Sequence, residues 1–472
     1  MDATTFRKHG HELVDWIAEY LAHPERYPIL ARVKPGEIAG ALPAHAPEDA
    51  ESFDAIMADF ERVLVPGLTH WNHPGFLAYF ATTGSAPGVL ADFLSAALNQ
   101  QAMLWRTSPA ATELEAVSLS WLRRLIGLPD AFEGVIYDTA STASMHALAA
   151  AREAAVAGAR TKGLAGRPEV PRIRVYCSEQ AHSSIDKAVI AIGLGHESLG
   201  KIPVDADYRL RTERLNDAIR ADRAAGMLPI AVVATVGTTS TTSVDPVPAI
   251  ADICGREHLW LHVDAAYAGV AAMLPSHAHI LDGADRADSL VVNPHKWLFT
   301  PFDLSAFYCR RMDVVRAAFA LTPEYLTTSE PDGVRNLMDT GVQLGRRFRA
   351  LKLWMVLRAF GARGIRERLS AHMQLAQQLA SWIDEHPDFE RLAPVPFSVV
   401  CFRWRPAGRP LSDAELDAAN ARLIAEVNAT GEVFLSHTRL RNRFSLRIAI
   451  GHLETMERHV RRAWELLQEH AP

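Results

Sequence analysis

Cysteine is scarce in this 472-residue chain, with only Cys177, Cys254, Cys309 and Cys401 present. They lie far apart and show no CxxC or metal-ligand spacing. That excludes a disulfide framework or a cysteine-held metal and predicts buried free thiols in a reducing compartment. No stretch has the uninterrupted apolar length needed to cross a bilayer. The opening MDATTFRKHGHELVDWIAEYL carries charge throughout, without the apolar core and small-residue cleavage site of a signal peptide. A soluble, cytoplasmic protein is predicted. A basic block is also missing: the 49 Lys and Arg are interspersed among 55 Asp and Glu for a net charge of -6, so nothing would track the phosphates of a nucleic acid. There is no internal repeat and no low-complexity tract, although alanine is frequent. What remains is a chain 49% hydrophobic, long enough to bury a large core and to carry smaller domains beside a main one.

Three regions follow from the hydrophobic period. Residues 1–100 read as helices broken by proline-rich turns, with helical spacing in HELVDWIAEYLA and FDAIMADFERVLVPGL, a segment suited to packing on something else. Residues 101–345 hold short β-rich runs alternating with helical stretches: GVIYD (134–138), RIRVYCS (172–178), IAVVATVG (230–237), WLHVDAA (260–266), SLVVNP (289–294) and LSAFYCR (304–310). Runs apolar on both faces predict a mostly parallel sheet covered on both sides, an α/β domain whose ligand sits at the carboxyl ends of the strands. Residues 346–472 continue the helical LGRRFRALKLWMVLRAFG into two strands, FSVVCFRWRP and RFSLRIAIG, and a last helix near LETMERHVRRAWELLQEH. That mixture predicts a small α+β domain.

Four stretches could carry chemistry. In VVNPHKWLF, Lys296 follows an apolar strand among aromatic neighbours, where an amine loses its proton readily and condenses with an aldehyde; alone, it could equally be an exposed turn lysine. In WLHVDAAYAG, Asp264 ends a buried strand, a costly place for a carboxylate unless a cation meets it. A protonated pyridine nitrogen is such a cation, and a structural ion pair is the other reading. In GVIYDTASTASMHALAAARE, a strand ends in Thr139, Ala140, Ser141 and Thr142 before an alanine-rich helix, which makes either a phosphate site or an ordinary N-cap. In SEQAHSSIDKA, His182 follows a strand, placed to stack on a flat cofactor and act near neutral pH, or simply to cap the helix. No metal site is expected.

Together and in this order these stretches resemble the group II pyridoxal-phosphate decarboxylases, and among them aromatic-L-amino-acid decarboxylase. The resemblance runs from HWNHPGFLAYF through TSPAATELE, AHSS, ATVGTT, LHVDAAYAG, NPHKW and LGRRFRALKLW to FSLR. It implies a fold-type I enzyme working as a homodimer with active sites at the subunit interface and pyridoxal 5'-phosphate as cofactor. It further implies Lys296 as Schiff-base lysine, Asp264 on the pyridine nitrogen and His182 stacked on the ring. Ala140, Ser141, Asn293 and His295 would hold the phosphate beside Thr139, with Thr235 and Ala266 next to the ring. The implied reaction is decarboxylation of an L-amino acid to the amine and carbon dioxide. Trp71, Tyr79, Phe80 and Thr82, with His182, would line the substrate pocket, and their aromatic walls favour an aromatic substrate, although core or interface packing explains any one of them equally well.

The chain departs from the family in three places. Ala81 stands where the family has proline, NQQAMLW (99–105) replaces small and apolar residues, and the mobile loop before LGRRFRALKLW has Leu337 where the family places a tyrosine that protonates Cα. Relatives with phenylalanine at that tyrosine make an aldehyde by reaction with oxygen. Three readings therefore stand: His182 or a water delivers the proton, the enzyme is an oxidative aldehyde synthase, or the loop aligns a few residues away. Transamination or carbon–sulfur cleavage on the same fold, and a catalytically inactive structural or regulatory homodimer, are the competing readings. Arg447 could meet a substrate carboxylate or form a surface or interface salt bridge.

Overall fold

The computed structural model describes residues 1–321 and 334–472. A seven-stranded sheet forms the centre, built from β1 (Glu133–Tyr137), β2 (Ile173–Ser178), β3 (Leu199–Ile202), β4 (Leu228–Thr235), β5 (Trp260–Asp264), β6 (Ser289–Val292) and β7 (Ser305–Cys309), in the order β1-β7-β6-β5-β4-β2-β3. Neighbours from β6 to β3 pair in parallel, while β7 runs antiparallel to both β6 and β1. All strands but β7 therefore end on the same edge of the sheet.

The central strands are buried because both faces are apolar. Along β4, Ala231 and Val233 enter one hydrophobic cluster while Val232 and Ala234 enter another on the opposite face. That alternation is the period of two expected of a strand covered on both sides. The helix Ala140–Ala155 lies on the first of these faces, burying Ala143, Ala147, Ala150 and Ala151, and its small side chains let it sit close to the sheet. All four cysteines are buried and free.

A second sheet, ordered β10-β11-β9-β8, is antiparallel: β8 (Phe389–Arg391), β9 (Val399–Trp404), β10 (Ser436–Leu440) and β11 (Arg443–Ala449). The helical run beginning at Ala350 reaches Glu385 but breaks at Gly361, whose φ of 62° is a left-handed value that glycine adopts without a side-chain clash. The N-terminal segment joins the small sheet: Leu77 N donates to Phe434 O, and Ala449 N donates to Leu77 O. Among the described residues no helix is long and apolar enough to cross a membrane.

Six expected strands of the large domain are found, and β3 is additional. In the small domain β8 and β10 are additional. All three extra strands are sheet edges: β3 carries Gly200 and the exposed Lys201, and β10 alternates buried Ser436 and Leu440 with exposed His437 and Arg439. An edge strand covered on one side needs no apolar run, so the sequence pattern passes over it.

The interior also holds a set of neutral histidines. Burial holds the imidazoles of His73, His146, His262 and His372 down at about 4, and those of His295 and His452 at about 3. An unfolded chain binds protons at these groups near pH 6.5, whereas the folded chain does not until far lower. Stability from this source is therefore complete above pH 6.5 and is lost as pH falls toward 4, by up to about 1.4 kcal/mol per pH unit for each group. We expect Tm to be flat from pH 8 to 7 and to drop steeply between pH 6 and 5. A thermal-melt series level across that interval would contradict it.

Candidate active site

The strand ends converge on one cavity of about 180 Å³, lined by Thr139, Ala140 and Ser141 after β1, His182 after β2, Thr235 at the end of β4, Asp264 and Ala266 at the end of β5, and Asn293, His295 and Lys296 after β6. Every residue expected to hold the cofactor is thus on one wall or another. The placement follows from the parallel sheet, whose carboxyl ends leave polar turns around a crevice.

Lys296 sits in the short helical turn Pro294–Trp297, with its Nζ 5.3 Å from the centroid of the Phe80 ring. Burial is the main cause that lowers its ammonium below the usual lysine range; Asp264 opposes the shift and Arg447 adds to it. Asp264 is 5% exposed, accepts a hydrogen bond from Ala266 N at 3.1 Å and has no ion-pair partner within 4.0 Å among the described residues. The carboxylate is left facing a cavity, as a site awaiting a cation would be. Thr235, in the same lining, has its Oγ1 buried with no hydrogen-bond partner among the described residues. Its backbone is held rigidly, since Thr235 N donates to the buried carboxylate of Asp245 at 2.8 Å.

His182 lies at the exposed mouth. Its Nδ1 accepts from Ser184 N at 3.2 Å and pairs with Ser184 Oγ at 2.9 Å, which leaves Nε2 as the protonated nitrogen. Partial burial, and then the Lys296 charge, lower this imidazole below the usual histidine range. His295 Nδ1 accepts from Leu304 N at 2.9 Å, so its Nε2 also carries the hydrogen, and Asn293 Oδ1 accepts from Ser305 Oγ at 2.6 Å, freeing its amide to donate. Thr139 caps the helix Ala140–Ala155 by accepting from Thr142 N, and Ala140 and Ser141 at the helix start line the crevice. Donors without a shared acceptor, gathered at one helix start, suit a phosphate.

The cavity also contains Ser184, Gly237, Thr239 and Tyr267, which sequence reasoning missed. Tyr267 stacks on Phe80 at 3.7 Å between ring centroids and on Trp297 at 4.8 Å, forming an aromatic wall behind Lys296. The run WLHVDAAYAG did contain this tyrosine, three residues after Asp264, but nothing local indicates which way a loop side chain turns. Gly237 has φ 90°, and a Cβ there would lie 2.6 Å from the Ala268 Cβ. A glycine directly after a strand end was the available signal.

The substrate set divides. Phe80 lines the cavity, whereas Trp71, Tyr79 and Thr82 are absent from its lining within this chain. Trp71 stacks on Phe76 at 4.3 Å, and Trp71 and Tyr79 are 37% and 54% exposed, aromatic surface that the chain itself does not cover. The NQQAMLW segment meets instead the stretch before the helix that begins at Ala350, Gln101 Oε1 accepting from Arg346 N. Leu337 is buried in the cluster beneath the helix Ala140–Ala155 and does not reach its own chain's cavity. Thr340 beside it accepts from the Tyr137 hydroxyl. Part of the loop expected before LGRRF, residues 322–333, lies outside the described residues.

These donors, the free carboxylate and the depressed lysine fit pyridoxal phosphate, and comparison with known proteins agrees. Residues 35–405 match the pyridoxal-dependent decarboxylase conserved domain. The chain is 38% identical to phenylacetaldehyde synthase of Arabidopsis thaliana over 100% of this chain and 96% of that one, and 38% identical to aromatic-L-amino-acid decarboxylase of Cavia porcellus over 99% and 98%. The crystal structure of Oryza sativa TDC with PLP and tryptamine superposes with a TM-score of 0.96 at 38% identity, covering 100% of this chain and 98% of that one. The chain belongs to the pyridoxal-dependent decarboxylase family, and it is a carboxy-lyase of amino acids with pyridoxal phosphate as its cofactor.

Proposed function

We propose that this enzyme decarboxylates an aromatic L-amino acid to its amine, as a cytoplasmic homodimer in which each copy helps to cover the other's site. The observation that carries the reading is the pairing, in one cavity at adjacent strand ends, of a lysine with a depressed ammonium and a buried carboxylate that, among the described residues, has no cation within ion-pair distance. Lys296 would be the covalent anchor for the cofactor aldehyde, and Asp264 would meet the pyridine nitrogen. The helix start at Thr139–Ser141, with His295 Nε2 and the Asn293 amide, would hold the phosphate, and His182 would cover the ring. When bound, the cofactor supplies the electron sink that lets a bond at Cα break.

The remaining work belongs to the chain. Phe80 and Tyr267 wall off water, which favours release of neutral carbon dioxide from a charged carboxylate. Lys296 Nζ and His182 Nε2 are the atoms on the cavity wall able to carry a proton to Cα, a step that Leu337 cannot perform. The aromatic residues Phe80 and Tyr267 on the cavity wall suit an aromatic side chain, and exposed Trp71 and Tyr79 are available to the second copy. Leu90, Phe93, Leu94 and Leu98 expose an apolar stripe on one helix, the surface such a dimer would cover.

A second reading is favoured by Leu337 itself and by the similarity to phenylacetaldehyde synthase. Without a dedicated proton donor, oxygen takes the electron pair, and amino acid, oxygen and water give aldehyde, carbon dioxide, ammonia and hydrogen peroxide. Incubating the cofactor-loaded enzyme in air with tryptophan, phenylalanine, tyrosine and DOPA, while following amine, aldehyde and peroxide together, separates the two. Amine without peroxide is the expected result. Aldehyde with stoichiometric peroxide establishes the oxidative reading, and no turnover of any of the four overturns the aromatic assignment.

A further inference from the structure

Arg447, on β11, is 3% exposed and has no acidic partner among the described residues. Taking a guanidinium out of water without a carboxylate is unfavourable, so other groups must hold it. Its Nε donates to Ser240 O at 3.1 Å and its Nη1 to Tyr79 O at 2.6 Å, while its Cζ sits 4.8 Å over the centroid of the Phe80 ring. Nη2 is buried without a hydrogen-bond partner among the described residues. The two carbonyls belong to the residues immediately beside two lining residues of the cavity, Phe80 and Thr239.

Tyr79 also has φ 50°, a left-handed backbone that a residue with a side chain adopts only when its surroundings enforce it. That bend leaves the Tyr79 side chain exposed while its neighbour Phe80 packs flat against Tyr267. Arg447 grips the carbonyl at the bend and the ring that follows it. On the other side, Ser240 O also accepts from Cys401 Sγ, and Ser240 Oγ bonds Thr438 Oγ1, so Ser240 is tied to the small sheet at three points, two of them through its carbonyl. Arg447 itself is not among the residues lining the cavity, which argues against direct contact with a substrate carboxylate, and among the described residues no acid forms a salt bridge with it.

We propose that Arg447 is a positioning residue for the reaction: by clamping the Tyr79 bend, the Phe80 face and the Ser240 carbonyl, it sets the two walls between which cofactor and substrate lie. A planar fork makes this possible, since it donates in two directions while stacking on a ring. A lysine at the same place keeps the charge but loses the geometry. The proposal rests on the cofactor site and not on which aromatic amino acid is used.

The test is Arg447→Lys, loaded with pyridoxal phosphate and compared with the parent by visible-region circular dichroism of the bound cofactor, which reports the asymmetry of its walls without any substrate. The expected result is an unchanged far-ultraviolet spectrum, a visible band reduced about twofold or more, and kcat/KM lower by roughly 100-fold, carried mainly by KM. Phe80→Leu should reproduce the same pattern, and the double variant should be no worse than Phe80→Leu alone, because both changes remove one wall. Arg447→Lys with the parental visible band and KM overturns the proposal. So does Phe80→Leu leaving the visible band intact, or a double variant in which the two losses multiply.

Discussion

Lys296→Ala should yield a folded protein that binds pyridoxal phosphate without a covalent link. The absorbance of the lysine-linked cofactor should be lost, and turnover should be lower by roughly 10⁴-fold, the scale of removing a group that both anchors and carries protons. The physical basis is where the amine sits. An ammonium in water is almost wholly protonated at neutral pH, and only the free amine adds to an aldehyde. Burial of Lys296 among Phe80, Tyr267 and Trp297 disfavours the charged form, and the nearby Arg447 charge disfavours it further.

Lys352 provides the contrast. It too is buried and its ammonium is lowered by burial, but Nζ is tied to Asp92 at 3.1 Å, and it is absent from the cavity lining. Borohydride reduction followed by peptide mapping should place the cofactor on Lys296 in the parent and on no lysine in Lys296→Ala. Label on Lys352, or the band of the lysine-linked cofactor surviving in Lys296→Ala, would refute the anchor assignment.

Asp264→Asn is expected to fold, to bind the cofactor more weakly and to turn over roughly 10³-fold more slowly, in line with removal of a buried charge aimed at a reacting group. The asparagine keeps an oxygen for Ala266 N, so the local turn is preserved and only the charge is removed. In the cofactor-free protein the parental carboxylate is buried with no cation within ion-pair distance among the described residues, an unfavourable state. Cofactor-free Asp264→Asn should therefore melt at or above the parental Tm, while the rise in Tm on adding cofactor should be smaller than in the parent. The charge of Asp264 also favours the protonated form of Lys296, so its loss should lower the lysine further. A variant with parental turnover, or one that gains as much stability from the cofactor as the parent does, would show that Asp264 does not meet the pyridine nitrogen.

The cofactor half of the site was readable in the sequence because each part of it is local. A residue at the end of a buried strand must project into the crevice beyond the sheet, so Asp264, Lys296, His182 and the Thr139–Ser141 turn announce their positions by their neighbours alone. The edge strands β3, β8 and β10 did not, since a strand with one exposed side and a few residues lacks the apolar run that marks a central one. Tyr267, Thr239 and the role of Arg447 were not readable either. Tyr267 contacts Phe80 across nearly two hundred residues of chain, and Arg447 touches Tyr79 and Ser240 from a different sheet.

Composition and strand pattern by themselves determined that this is an α/β protein with a crevice at its strand ends, and four short stretches, through their resemblance to a known family, determined the cofactor. Only the tertiary structure decided which aromatic residues face that crevice, that Leu337 is buried in the core of its own chain, and that a buried arginine bonds the residues beside two of its lining residues. The reason is the range of the forces. Backbone hydrogen bonding and hydrophobic period act between near neighbours and leave a periodic trace in the sequence, whereas the orientation of a loop side chain is chosen by contacts with residues far along the chain, which leave none.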